Sequence, residues 1–150
     1  MSTYKKILIA VDGSEYAMTA ARKGLELSHQ LDAVTGLVFV IDSSKALANP
    51  DLGITAEQVK VILKREAEQT LDQLANMYNG KELKKFMPEG YPIYKEVIKL
   101  AESWKADLVV MGTHGRTGLE HLLMGSVAEH VMHHSPIPVM VVPTEPKNDS

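Results

Sequence analysis

The 150-residue sequence contains no cysteine, has no surplus of positive charge and begins without a long apolar run. The absence of cysteine excludes thiol catalysis and disulfides, and agrees with a reducing compartment. The formal net charge is -3 with neutral histidines, so the chain has no basic surplus to hold a phosphate backbone. The first apolar run ends at Asp12, which is too short for a membrane span, and no signal-cleavage pattern follows it. We therefore expect a soluble, cytoplasmic protein with neither nucleic acid nor a membrane as partner.

The length of the chain suits one domain that needs no metal or disulfide to fold. A chain of this size buries roughly two thirds of the surface that its unfolded form exposes. We find no internal repeat, no low-complexity segment and no second domain, so we expect a single domain over residues 1–150. Residues 144–150 are polar, and we expect them to form a loose tail.

Hydrophobic periodicity predicts five strands that alternate with four helices. Two capping boxes, Thr55 with Gln58 and Ser126 with Glu129, mark helix starts. Residues 84–88 carry little period, and we expect a short or irregular strand there. The predicted strands are 6–11, 34–41, 84–88, 107–111 and 137–142, and the predicted helices are 14–30, 55–78, 92–104 and 126–135.

Strands that alternate with helices in this way predict an α/β fold with right-handed crossovers. We expect a doubly wound, five-stranded, mostly parallel sheet with helices on both faces. In such sheets, ligands bind beyond the carboxyl ends of the strands, at the point where the strand order reverses. The loops that hold Asp12, Val40 and Gly112 all lie at that edge.

A glycine-rich segment, VVMGTHGRTGLEHLLMGSV at residues 109–127, connects a buried strand to a helix start. Three of its glycines let the backbone approach a polyphosphate closely, and a hydroxyl residue follows the last of them. The amides at a helix start favour an anion. This pattern predicts nucleotide binding. The simpler interpretation is that Gly125 and Ser126 only cap the helix, and that Asp12 only caps the turn after the first strand.

Several segments of the chain resemble the universal stress protein family, in its small single-domain form, over nearly the whole length. The resemblance rests on ILIAVDGSEYA, VFVID, DLVVMGTHGRTG, LLMGSVAEHV and SPIPVMVV. Members that bind ATP have a glycine, two residues, a glycine, nine residues, and then glycine followed by serine or threonine. Gly112, Gly115, Gly125 and Ser126 match that spacing. The resemblance implies a Rossmann-like fold of the adenine nucleotide alpha hydrolase-like kind.

The resemblance also implies where each part of an ATP molecule would lie. Adenine would be held near Asp12 and the backbone of Val40, and ribose near Met111 and Gly112. The phosphates would lie along five positions of the loop and the following helix: Gly115, Arg116, Gly125, Ser126 and Val127. Any Mg²⁺ would be held mainly by the phosphates and by water.

The sequence shows a phosphate-binding pattern without an evident catalytic set. There is no P-loop lysine signature, no acidic pair around the loop and no activated nucleophile, so we name no catalytic residue. We expect an ATP-binding stress sensor or regulator. The alternatives are slow ATP hydrolysis or self-phosphorylation, with Ser126, Ser14 or Thr117 as acceptor, a nucleotide-free dimeric stress protein, and a receiver-like signalling module. A receiver needs an adjacent acidic pair, a phosphorylatable aspartate on a later strand and a lysine near the last strand, but Asp12 stands alone and the final strand has no lysine.

The last third of the chain suggests two further features. His130 and His134 are one helical turn apart, a spacing that can place two imidazoles on one metal ion. No third protein ligand is evident, so we expect no metal site. If the last strand, Ile137 to Val142, lies at a sheet edge, its unpaired backbone groups and apolar side chains need cover. We therefore expect a homodimer joined through this strand, where relatives of this family commonly dimerise.

Overall fold

The computed structural model describes residues 4–47, 50–114 and 124–143. Within these ranges, strands and helices alternate along the chain, with two short 3-10 turns at Ser43–Lys45 and Pro50–Leu52. In chain order the elements are β1 (Lys6–Val11), α1 (Glu15–Gln30), β2 (Val34–Phe39), β3 (Ile41–Asp42), α2 (Ala56–Asn76), β4 (Leu83–Phe86), β5 (Glu89–Gly90), α3 (Ile93–Trp104), β6 (Leu108–Gly112), α4 (Ser126–His134) and β7 (Val139–Val142).

The main sheet has five strands in the order β4-β2-β1-β6-β7, and all neighbouring strands are parallel. From β1 the chain builds outward through β2 to β4, and it then returns to the other side of β1 to form β6 and β7. The strand order therefore reverses between β1 and β6, which confirms the predicted doubly wound fold. The carboxyl ends of these two strands, after Val11 and Gly112, mark the switch point.

The helices cover both faces of this sheet. The side chains of Ile7 and Ile9 point to the face covered by α1 and α2, and Leu8 points to the face covered by α3 and α4. All three are fully buried. Because a parallel sheet is covered on both sides, its central strand is apolar without interruption, as the run in β1 predicts.

Two helix starts follow the predicted capping chemistry. At α1 the Ser14 hydroxyl accepts a hydrogen bond from the Ala17 amide, at 3.1 Å. At α2 the Gln58 amide donates to the Thr55 hydroxyl at 3.1 Å, and the Thr55 amide donates to the Gln58 side chain at 2.8 Å. This reciprocal pair confirms the predicted capping box.

The second predicted strand is wrong in its extent, because the chain leaves the main sheet at Val40. β2 ends at Phe39, and Ile41–Asp42 pairs instead with Glu89–Gly90 in a separate two-stranded parallel sheet. The Ile41 amide donates to the Pro88 carbonyl at 2.8 Å, which draws the strand toward this second sheet. Pro88 has no amide hydrogen to donate to a ladder, and it lies in the chain between β4 and β5, where the strand leaves the main sheet.

The capping box predicted at the last helix is also wrong. Gly125, in extended conformation, is the cap residue, and Ser126 is already the first helical residue. The Gly125 carbonyl accepts the first helical hydrogen bond, from the Glu129 amide at 3.0 Å. β7 begins at Val139 rather than Ile137. The predicted tail at residues 144–150 lies outside the described residues.

Candidate functional site

A cavity of about 260 Å³ opens at the carboxyl edge of the sheet, over the switch point. Its lining comes from the ends of β1, β2 and β6, from the residues that follow them, and from the start of α4. The structure brings together seven of the nine predicted site residues around this space: Asp12, Val40, Met111, Gly112, Gly125, Ser126 and Val127. The other two, Gly115 and Arg116, lie outside the described residues.

One side of the cavity is apolar. The side chains that form it come from β1, β2, α3 and α4, and they are Ala10, Val38, Ile93, Val97 and Ala128. An apolar wall beside a few polar groups is the usual surrounding of a small organic ligand, since burial of a flat ring is favourable there and the polar groups fix its orientation.

The rim of the cavity carries charge that sequence reasoning missed. Asp42 and Lys45 come from the connection after β3, and Glu66 comes from α2. Asp42 could have been inferred, because it follows a strand at the carboxyl edge. The positions of Lys45 and Glu66 in the sequence do not predict a place at the cavity, because only long-range packing brings them to it.

The Asp12 side chain has a structural role and a position in the cavity at the same time. Its Oδ1 accepts a hydrogen bond from the Ser14 amide at 2.9 Å and so closes the turn into α1. Gly13 lies between them in a left-handed conformation, with φ of 85°, which favours glycine. The predicted capping of the turn by Asp12 is therefore present, and the same residue also lines the cavity.

The start of α4 lines the cavity with Gly125, Ser126 and Val127. Gly125 has no side chain that could cap the helix, and its own amide donates to the Thr113 carbonyl. The amides of Ser126 and Val127 follow as the first two of the helix, and they have no acceptor within it. Because they also lie at the positive end of the helix dipole, they favour an anion in the cavity.

Gly112 has a packing explanation that does not involve a ligand. A Cβ atom on this residue would lie 3.3 Å from Cβ of Ala20 and 3.4 Å from the Tyr16 carbonyl oxygen. The end of β6 thus lies close against α1, and this contact alone favours a glycine. The amides of α4 carry more information about function than this glycine does.

The hydroxyl of Ser126 lies near the imidazole of His130, which does not act as its base. Its Oγ is 3.4 Å from Nδ1 of His130, whereas the same nitrogen is 2.7 Å from the Ser126 carbonyl oxygen. A carbonyl oxygen only accepts, so this nitrogen carries a hydrogen and donates it to the carbonyl. It is therefore unable to take a proton from the hydroxyl in this arrangement.

Two of the three histidines of α4, His130 and His134, form a ring stack with Tyr94. His130 stacks on Tyr94 with ring centroids 4.7 Å apart, and the rings of His130 and His134 are 6.1 Å apart and nearly parallel. Nδ1 of His134 is 3.0 Å from the His130 carbonyl oxygen. Within the described segments, no group of three or more metal-ligating side chains lies together.

No helix in these same segments is long and apolar enough to cross a membrane.

Comparison with known proteins supplies the family. The model of the universal stress protein family matches residues 3–143. A universal stress protein of Methanocaldococcus jannaschii, MJ0531, is 38% identical over 148 residues, which covers 97% of this chain and 85% of the relative. The likeness thus extends through the switch-point loops and both outer strands.

Solved structures agree with this comparison. MJ0577, whose biochemical function was assigned on the basis of its structure, is 30% identical with a TM-score of 0.83, covering 97% of this chain and 100% of the other. A universal stress protein in complex with cAMP is 20% identical with a TM-score of 0.67, covering 96% and 100%. The universal stress protein of Archaeoglobus fulgidus in complex with dAMP is 18% identical with a TM-score of 0.62, covering 93% and 98%. These last two show the shared fold alone. From the family model, the sequence identity and the sheet topology together, the chain belongs to the universal stress protein family.

Proposed function

We propose that this protein binds an adenine nucleotide, ATP in the first instance, at the carboxyl edge of its sheet and acts as a nucleotide-dependent stress sensor or regulator. The observation that carries the proposal is the start of α4. Its glycine cap and first two helical residues line the same cavity as the ends of β1 and β2. The cAMP and dAMP complexes of two proteins with the same fold support the choice of an adenine nucleotide.

In this proposal the base occupies the apolar side of the cavity. Its ring packs between the apolar wall and the backbone of Val40, and its amino group donates to the carboxylate of Asp12. The ribose lies over Met111 and Gly112, which end β6 at the centre of the cavity.

The phosphates extend from the ribose toward α4. The amides of Ser126 and Val127 bind them, and Gly125 contributes by its lack of a side chain, since its amide already donates to Thr113. Gly115 and Arg116 complete the phosphate site from the segment outside the described residues. Mg²⁺, when present, is held by the phosphates and water, because the described residues offer no group of three metal ligands.

A regulatory role requires binding but no chemical step, and the site is consistent with that. The neighbouring nitrogen of His130 does not serve as a base for the Ser126 hydroxyl, because it donates to a carbonyl. We therefore place slow hydrolysis and self-phosphorylation behind the binding role. The protein is proposed to be cytoplasmic, with residues 1–150 as one nucleotide-binding domain.

We include a homodimer through β7 in the proposal. β7 is an edge strand of the main sheet, so one side of its backbone lacks a neighbour within the described chain. Met140 on this strand is 41% exposed, and Met132 on the adjacent helix α4 is 48% exposed. Pairing of two copies along this edge would cover both the backbone groups and these side chains.

Equilibrium dialysis against ATP and AMP, with and without Mg²⁺, tests the binding proposal. We expect saturable binding of one nucleotide per chain. An absence of binding of either nucleotide up to millimolar concentration, with Mg²⁺ present, would refute it. Guanine nucleotides serve as the matched control, because they carry a carbonyl where adenine presents its amino group to Asp12.

A further inference from the structure

Exposed apolar side chains are concentrated at the start of α2 and on the segment before it. Leu47 and Leu52 are each 70% exposed, and Val61 and Ile62 are 54% and 60% exposed. These four residues, which we call the α2 surface, are half of the exposed large apolar side chains in the part of the chain that the structure describes. Exposed apolar residues on the surface of a monomer are usually scattered singly. A concentration of them therefore marks an interaction site.

The α2 surface is turned away from the core. The helix buries Ala67, Leu71 and Leu74 against the sheet. At 3.6 residues per turn, Val61 and Ile62 project from the opposite side of the same helix. The surface is also separate from β7, since α2 packs beside β2 and β3, while β7 lies at the other end of the strand order. Neither the core nor a β7 dimer covers it.

Two opposite charges lie symmetrically about Val61 on α2. Glu57 lies four residues before Val61, and Arg65 lies four residues after it. Neither residue takes part in an ion pair with any other described residue. If two copies of α2 cross antiparallel about an axis at Val61, each Glu57 lies opposite the partner's Arg65. A symmetric contact repeats every pair twice, so this interface would contain the ion pair two times.

From this self-complementarity we propose that the α2 surface is a two-fold interface with a second copy of this chain. An anionic partner, such as an acidic helix or a lipid surface, would oppose Glu57, whereas a second copy pairs both signs of charge. The surface also offers a hollow lined by Gly53, Ile54, Gln58, Val61 and Ile62. Leu52, exposed beside it in the chain, provides the protrusion that an isologous contact needs on the same surface.

This interface depends neither on nucleotide binding nor on pairing through β7. If both surfaces are used, each chain contacts two others and the assembly is larger than a dimer. Sedimentation of the Met140→Lys protein isolates the α2 contact, because that change disables the β7 edge and leaves α2 unaltered. We expect a concentration-dependent dimer of this variant. A monomer at every concentration at which the unmodified protein still dimerises would overturn the α2 interface without affecting the β7 proposal.

Charge reversal in the Met140→Lys background tests the identity of the partner. We expect Glu57→Arg alone and Arg65→Glu alone each to weaken dimerisation about tenfold, since each removes two exposed ion pairs and adds repulsion. The double variant, Glu57→Arg with Arg65→Glu, should restore the association, because the signs are again complementary between copies. Glu26→Arg on α1 is the matched control and should have no effect. Failure of the double variant to restore dimerisation would overturn the antiparallel arrangement.

Disulfide cross-linking gives an independent test, because the chain has no cysteine of its own. A Val61→Cys protein should form a disulfide-linked dimer on oxidation with diamide, since residue 61 faces its own counterpart across the axis. Gln69→Cys, eight residues along the same exposed helix, should not, because its two copies would be about 24 Å apart along the axis, whereas a disulfide requires Cα atoms within about 7 Å. Equal cross-linking at the two positions would overturn the proposed axis.

Discussion

Replacing Ser126 by proline removes one amide from the proposed phosphate site and leaves the helix intact. Ser126 is the first helical residue, a position that proline favours, because its fixed φ suits the helix and the missing amide has no intrahelical acceptor. The preceding residue, Gly125, has ψ of 164°, which is the extended conformation that a following proline requires. We therefore expect the variant to fold with a melting temperature close to that of the unmodified protein.

The expected effect on binding follows from the loss of one hydrogen bond to a charged group. Such a bond contributes about 1.5–3 kcal/mol, which corresponds to roughly ten- to 150-fold in the dissociation constant. The loss of affinity should be largest for ATP and absent for adenosine, because adenosine has no phosphate that could contact the amide. Isothermal titration calorimetry with ATP, AMP and adenosine measures all three.

Two further variants separate the causes. Ser126→Ala keeps the amide and removes only the hydroxyl. Any loss of ATP affinity in Ser126→Pro beyond that in Ser126→Ala is therefore due to the missing backbone amide. Ala56→Pro places the same substitution at the first position of α2, whose start does not line the cavity, and should leave binding unchanged. A Ser126→Pro protein that is folded and binds ATP as tightly as the unmodified protein would refute the role of the α4 amides.

Three other changes test packing and assembly. Ser28→Ala removes the partner of the buried Thr35 hydroxyl, which lies 2.6 Å away, and should reduce the free energy of unfolding in urea by about 1–3 kcal/mol; adding Thr35→Val should recover part of the loss. Gly36→Val should destabilise by about 1–3 kcal/mol, because a Cβ there lies 3.0 Å from the Trp104 ring, and an unchanged urea midpoint would contradict this. Met140→Lys at the β7 edge should lower the mass of the assembly in sedimentation, and an unchanged mass would refute pairing through that edge.

The sequence predicted the fold well because its strands and helices follow simple patterns. The uninterrupted apolar run of β1 identified a strand covered on both faces, and the Thr55 capping box identified the start of α2. The break at Val40 was not predictable, since Val40 and Ile41 are as apolar as the strand before them. It results from a contact with Pro88, which lies far away in the sequence.

The site was predicted in position but not in detail. The glycines and Ser126 identified the start of α4, yet the pattern did not show that the Gly125 amide donates to Thr113, because this pairing joins residues that are not neighbours in the sequence. Lys45 and Glu66 were missed for the same reason, as long-range packing alone brings them to the cavity. Residues at strand ends are predictable, whereas side chains that neighbouring elements supply are not.

Titration of the ¹⁵N-labelled protein with ATP, observed by NMR, tests the central claim most directly, because it reports on individual backbone amides. We expect large, saturable shifts of the Ser126 and Val127 amides together with those around Asp12 and Val40, while the amides at the start of α2 remain unshifted. Saturable shifts confined to another surface, or no shifts at millimolar ATP with Mg²⁺, would contradict the proposal that the α4 amides bind the phosphates of a nucleotide at the switch point.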